Sequence, residues 1–415
     1  MNIQLKYALF LLIIALTACS KKGTFQHISN TEQITLRSDK TAEKREKCDC
    51  LSTEHYEVKE EFAVLQDLKY VNTLYIFTNS SDLKNNWVGE DMIYYAEALN
   101  RIGNRRLSEN AKMKLPEGNN TPKEQIPWRY RMLEDENEDS GLAIYQVIDD
   151  ELYYYVTRGK NRNNYDKKII EKYGRDRDKA LNIFAMSHHP DSIASPTYKP
   201  SRVGISLGTA VKISGVTQGE LGDVWKMATL YNHEIGHSIG LRHSWYKNDG
   251  CDDTPAHPNC YSPKKEGKCK GPTSNNMMDY NHSQKALTPC QISIATKYLN
   301  NPKSKVRPAV YKDWCKYDVK KSLIVKKDMH LDRFADLKGD IVVNNGATLR
   351  ISCQLSMPRG SRIIVSPDAT LELNGCTILN DCGEDWGGIE LREAGKKKAT
   401  VITMGNVKIE NVASR

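Results

Sequence analysis

Residues 233–243 read His233-Glu234-Ile235-Gly236-His237-Ser238-Ile239-Gly240-Leu241-Arg242-His243. Histidines four apart project from one face of a helix, so both imidazoles can meet one ion. Glu234 sits about 100° further round, within reach of a water at that ion without being a ligand. Gly240 accepts the positive φ of a sharp turn out of the helix, which brings His243 back as a third ligand. Three neutral imidazoles leave the fourth position of a tetrahedral zinc open, the arrangement of a catalytic site. The segment therefore predicts one zinc held by His233, His237 and His243, with Glu234 as general base.

The flanking sequence predicts a layered domain. Residues 69–77 (Lys-Tyr-Val-Asn-Thr-Leu-Tyr-Ile-Phe) and 180–186 are β-rich, and 203–213 reads as a further strand. Residues 90–102 place Met92, Ala96, Leu99 and Ile102 at helical spacing, and 224–239 form the helix that carries the motif. Together they make an α/β (α+β) domain over 67–300. His188 and His189 precede Pro190 and read as loop residues at the surface, not ligands.

The tail follows another pattern. Val342 aligns with Ile364, Ala347 with Ala369, Thr348 with Thr370 and Leu349 with Leu371, all at an offset of 22. A fixed period with short β runs predicts an all-β, right-handed β-solenoid-like tail at 333–415, after a linker at 301–332. A small β-sandwich with two similar hairpins is the alternative. Residues 386–391 and 399–402 begin further repeats, and the absence of a cap pattern before Arg415 leaves a truncated solenoid open.

The chain has 415 residues, 39% hydrophobic and 27% charged, which excludes a wholly disordered or fibrous protein. Its net charge of +8 comes without an Arg-rich stripe or zinc-finger spacing, so no nucleic-acid partner is expected. Lys6, an apolar run over 7–16 and small residues before Cys19 describe a signal peptide at 1–18. At roughly ten residues that run is too short to cross about 30 Å of hydrocarbon. Leu16-Thr17-Ala18-Cys19 resembles a bacterial lipobox, which implies an acylated Cys19 and a membrane partner through its lipid. The location then expected is the extracytoplasmic bacterial envelope, at the outer membrane, with surface exposure or plain secretion as the alternatives. Residues 19–66 read as a polar tether or pro-segment. Eleven cysteines, ten once Cys19 is lipidated, suit an oxidising compartment. Cys251, Cys260, Cys269 and Cys290 are the group expected to staple one loop-rich region, in a pairing the spacing does not decide.

The motif is that of the metzincin zinc proteases, H-E-x-x-H-x-x-G-x-x-H, and Asn276-Met277-Met278-Asp279-Tyr280 resembles their Met-turn. Gly240-Leu241-x-His243, Asp253-Thr254-Pro255, Asn276-x-Met278-Asp279-Tyr280 and Cys290 resemble the pappalysin–ulilysin (cytophagalysin) family. So do Leu99-Asn100 and Leu181-Asn182-Ile183; the likeness spans 67–300. It implies that Met278 lies under the imidazoles and that Tyr280 turns its hydroxyl toward the zinc, a packed core tyrosine being the alternative. It implies calcium near Asp249, Asp252 and Asp253, and disulfides Cys251–Cys269 and Cys260–Cys290. It also implies that a substrate strand pairs with an edge strand, for which 203–213 is the candidate. Cys48-Asp49-Cys50 is open to two readings: a cysteine switch at the zinc, or ordinary disulfide cysteines. The function these features imply is a zinc endopeptidase acting on proteins or peptides. The alternative is a surface adhesin whose solenoid binds an unknown partner beside a structural or latent zinc site. Glu234 favours the enzyme, because a scaffold needs the ligands and not the base.

Overall fold

The computed structural model describes residues 24–31, 33, 48–82, 87–197, 201–215, 223–246 and 248–414. Cys19 and the signal peptide lie outside the described residues. Among the described residues no helix is long and apolar enough to cross a membrane.

The strand Lys69–Asn79 organises the first part of the chain. Val71 and the apolar run Leu74, Tyr75, Ile76 and Phe77 are buried, as are Asn72 and Thr73 between them, which suits a strand covered on both faces. It pairs in parallel with Leu181–Met186, which pairs in parallel with Ala210–Ser214. Trp128–Met132 and Ile144–Ile148 extend the sheet from other stretches of the same strand. One face is covered by the helices Gly89–Ser108 and Val224–Ser238, with Tyr75, Tyr95, Leu99, Met227, Tyr231 and Ile235 between the layers. The helices cross at Gly103, where a Cβ would stand 2.9 Å from the Tyr231 ring, so only glycine permits the contact. The other face packs Leu74, Ile76 and Phe184 against Tyr155, Ile169 and Ile170.

Residues 203–213 are a hairpin rather than one strand. Gly208 takes a φ of +81° and Leu207 N–H donates to Ala210 O at 2.8 Å. Val203–Ser206 is thereby antiparallel to Ala210–Ser214 and forms the edge of the sheet.

The tail passes in turn through three sheets. Ile341–Val343, Thr348–Ile351 and Leu355–Ser356 belong one to each sheet, and Ile363–Val365, Thr370–Asn374 and Thr377–Leu379 pair with them in parallel. The 22-residue offset is the ladder register, with Val342 opposite Ile364 and Leu349 opposite Leu371. Hairpins of a sandwich would pair antiparallel. Ile341, Val343, Leu349, Ile351, Ile363, Val365 and Leu371 point inward to one fully buried core. The stretches 386–391 and 399–402 contribute to Ile389–Ala394 and Thr400–Met404, the next strands in two of the sheets.

Two stretches expected to be loosely held are packed. In 301–332, Val306, Ala309, Val310 and Trp314 are buried in the core of the α/β part, and Leu323–Val325 is already a tail strand. In the described parts of 19–66, Phe25–Ile28 pairs antiparallel with Ile389–Ala394, and Tyr56 and Phe62 are buried. A few large apolar side chains spaced without a period hold these segments, which is why their sequence reads as tether. Where the two parts of the chain meet, Asp336 of the tail accepts hydrogen bonds from Lys69 and Arg307. Arg307 also bonds Asp381, which accepts from Trp314 Nε1.

The disulfides are Cys50–Cys353, Cys251–Cys290, Cys260–Cys269 and Cys315–Cys382. This corrects the pairing implied by resemblance. Asp253 accepts from Cys290 N–H at 3.0 Å, which sets Cys251 beside Cys290, and Cys260–Cys269 closes a short local loop.

Candidate active site

The helix Val224–Ser238 places His233 and His237 one turn apart on its inner end. The chain leaves it at Gly240, whose φ is +92°. Leu241 N–H donates to Gly236 O at 2.9 Å and Gly240 N–H to His237 O at 3.1 Å, closing the helix with a left-handed cap. His243 then returns to the other two. The Nε2 atoms lie 3.2 Å (His233–His237), 3.1 Å (His237–His243) and 3.3 Å (His233–His243) apart. Tetrahedral zinc with Zn–N near 2.0–2.1 Å has ligand-to-ligand edges of about 3.3–3.4 Å, close to this triangle.

Hydrogen bonding fixes which nitrogens face the centre. His233 Nδ1 donates to Met277 O at 2.8 Å and His237 Nδ1 to Leu241 O at 2.9 Å, so the Nε2 of each turns a lone pair inward. Lone pairs that converge so closely are satisfied by a cation and not by one another. Burial, reinforced by the neighbouring His237, pushes His233 down to about 3 and His243 to about 4; burial also lowers His237. All three rings are held neutral, the form that binds metal.

Glu234 is buried under the edge strand, and Ser206 N–H bonds its carboxylate. Burial raises its pKa to about 8 against that hydrogen bond. Met278 is fully buried beneath the motif helix, its Sδ 2.6 Å from where a Cβ on Gly236 would stand. Asn276 Oδ1 holds Met278 N–H at 2.8 Å and is itself bonded to Gln291. Tyr280 is half exposed, with ring centroids 5.6 Å from His233 and 5.0 Å from His243. It stands beside the triad and is no packed core tyrosine. Burial, then the charge of Glu234, raises its hydroxyl pKa.

Other expected residues are not brought together here. Asp249 accepts from Cys251 N–H and Thr254 Oγ1, Asp253 accepts from Thr288 Oγ1 and Cys290 N–H, and Asp252 is exposed. These acids shape a loop and cap a helix; among the described residues the three carboxylates are not grouped around one point. Cys50 is bonded to Cys353 in the tail, and Cys48 Sγ lies 4.0 Å from Cys353 Sγ. Neither reaches the triad, so of the two readings the cysteine switch does not fit and the disulfide reading holds for Cys50, Cys48 being a free thiol. His188 is buried, with Nε2 3.1 Å from Ser201 O, rather than on the surface, and His189 caps the short helix Pro190–Ala194.

Several supports were not read from sequence. The carbonyls of Met277 and Leu241 orient two ligands, and no side-chain identity signals that role. Asp279 accepts from Ser244 Oγ at 2.7 Å and pairs with His257 at 3.0 Å, tying the Met278 turn to the residue after His243.

No family model and no curated protein matches the chain. Among solved structures, mature mirolysin of Tannerella forsythia in complex with a cleaved peptide is similar at a TM-score of 0.40 and 15% identity. That match covers 59% of this chain and 96% of the other. A promirolysin mutant of the same organism is similar at a TM-score of 0.42 and 13% identity, covering 62% of this chain and 87% of that one. Likenesses this weak assign no role to any residue.

Proposed function

We propose that this chain is a zinc-dependent metalloendopeptidase of metzincin type, resembling the pappalysin–ulilysin family and anchored to a bacterial envelope through Cys19. One observation carries the reading: three Nε2 atoms 3.1–3.3 Å apart, with a buried carboxylate on the same helix. His233, His237 and His243 would hold the ion. An ion held there would supply Lewis acidity, enough to polarise a scissile carbonyl and bring the pKa of a water toward 7. Burial favours the protonated Glu234 carboxyl, and the positive charge of an ion held by the three imidazoles would oppose that and favour the carboxylate. As the carboxylate, Glu234 takes the proton of the attacking water and returns it to the leaving amine. Tyr280 offers its hydroxyl to the oxygen that gains charge. The edge strand Val203–Ser206 gives an extended peptide a ladder to join beside Glu234. The three-sheet tail is read as a β-solenoid, with its own partner undetermined.

The test is zinc content and peptide cleavage measured on one sample of the full chain, with Glu234→Ala alongside. One zinc per chain, cleavage by the wild type and none by the zinc-loaded variant are expected. Zinc without cleavage of any peptide in a diverse library would overturn the protease reading in favour of a structural site. Mass analysis of the N-terminal peptide tests acylation at Cys19.

A further inference from the structure

His243 is held differently from the other two histidines. His233 and His237 stand on a helix, and each donates Nδ1–H to a backbone carbonyl. His243 stands on the loop beyond Gly240, and among the described residues its Nδ1 has no hydrogen-bond partner in the chain. Its ring is fixed by aromatic contacts instead. The indole of Trp245 lies parallel to it, with centroids 4.0 Å apart and an interplanar angle of 15°. Tyr280 meets it edge-on at 5.0 Å and 67°, and Trp245 and Tyr280 touch at 4.6 Å. Trp245 is partly buried and lies outside the apolar clusters of the core.

We propose that Trp245 is a positioning residue for the metal site, its indole face holding the His243 imidazole in the plane that aims Nε2 at His233 and His237. The proposal rests on the reading of the triad as a zinc site. A hydrogen bond to Nδ1 sets both the rotation and the tautomer of a ligating imidazole. A stacked ring sets the rotation alone, through contact over its whole face. Without the indole, rotation of the imidazole about Cβ–Cγ is left to the edge-on contact with Tyr280, and more of the cost of orienting it falls on metal binding. Partners behind a ligand are worth about 10–100-fold in metal affinity, and the stack supplies that support on the ligand whose Nδ1 has no hydrogen-bond partner among the described residues.

Two variants of the full chain test this. Trp245→Leu keeps apolar volume and loses the flat face; Trp245→Phe keeps a smaller face. Zinc affinity is measured by competition with a chromophoric chelator, the d–d spectrum is recorded after cobalt(II) replacement, and the metal-free proteins are melted in parallel. Trp245→Leu is expected to bind zinc about 10–100-fold more weakly, with a changed cobalt spectrum and an unchanged metal-free melt. Trp245→Phe is expected to recover most of the affinity and the wild-type spectrum. The proposal falls if Trp245→Leu matches wild type in affinity and spectrum. It also falls if both variants lose affinity only in step with a lowered melt, since Trp245 then acts through the fold. A wild type that binds neither zinc nor cobalt would instead remove the metal site itself.

Discussion

Gly204 and Glu234 approach so closely that a Cβ on the glycine would stand 2.6 Å from Glu234 Cγ and 2.8 Å from its Oε1. The edge strand therefore roofs the carboxylate, and the missing side chain decides where that carboxylate stands. Ladder pairing of Gly204 with Ile213 fixes the strand in place, so it does not yield to a larger residue.

Gly204→Ala is expected to displace the Glu234 carboxyl and leave the metal alone. The three atoms nearest the missing Cβ all belong to Glu234. Misplacement of a catalytic group by about 1 Å costs about 100-fold, so kcat/KM should fall by that order with zinc content unchanged. Wild-type cleavage by the alanine variant would show that the contact does not position the base.

Gly236 plays a matching part beneath the helix. A Cβ there would stand 2.6 Å from Met278 Sδ, and Met278 is fully buried. Overpacking of this kind costs about 1–3 kcal/mol, and the strain falls on the turn whose Met277 carbonyl orients His233. Gly236→Ala should both lower the melting temperature and weaken zinc binding. A variant that melts lower but binds zinc as wild type would separate Met278 from the metal site.

The junction between the α/β part and the tail carries a pH dependence. Burial alone would raise the Asp336 pKa, but Arg307 and Lys69 outweigh it and hold the carboxyl below the ordinary carboxylate range. As pH falls, the unfolded chain takes up this proton before the folded one does, so the stabilisation is whole above about pH 4 and lost progressively below it. Asp336→Asn leaves two buried cations underpaired and should cost about 3–5 kcal/mol near neutral pH. In denaturant titrations the gap between wild type and variant should narrow below about pH 4. A gap that stays constant into acid would place the effect in packing rather than charge.

What could be read from sequence was what local spacing fixes. His233, Glu234, His237, Gly240 and His243 lie within eleven residues, and helix geometry plus one turn sets their relative places. The 22-residue offset was readable because parallel ladders stack like on like, as Thr348 does on Thr370. The hairpin at 203–213 had a signal in Gly208, outweighed by the apolar run around it. Cysteine pairing was not readable, because Asp253 and the start of the helix Pro289–Asn300 decide which thiol Cys251 meets. Nor was the seating of residues 48–66, which depends on a tail more than 250 residues away.

That seating predicts that removal of residues 1–66 destabilises the chain and does not activate it. Tyr56 and Phe62 are both buried, the Arg333 guanidinium lies 4.0 Å from the Phe62 ring centroid, and Tyr56 Oη accepts from Phe334 N–H. Truncation also takes away the Cys50–Cys353 bond. Phe62→Ala alone should cost about 3–5 kcal/mol, the usual penalty for emptying a buried aromatic site. The truncated chain should melt lower still and expose apolar surface to a hydrophobic dye. Cleavage by the full chain should not rise on limited proteolysis before residue 66, since neither Cys48 nor Cys50 stands at the triad. A truncated chain that melts as the full one does, and cleaves faster, would restore the segment as a removable inhibitor.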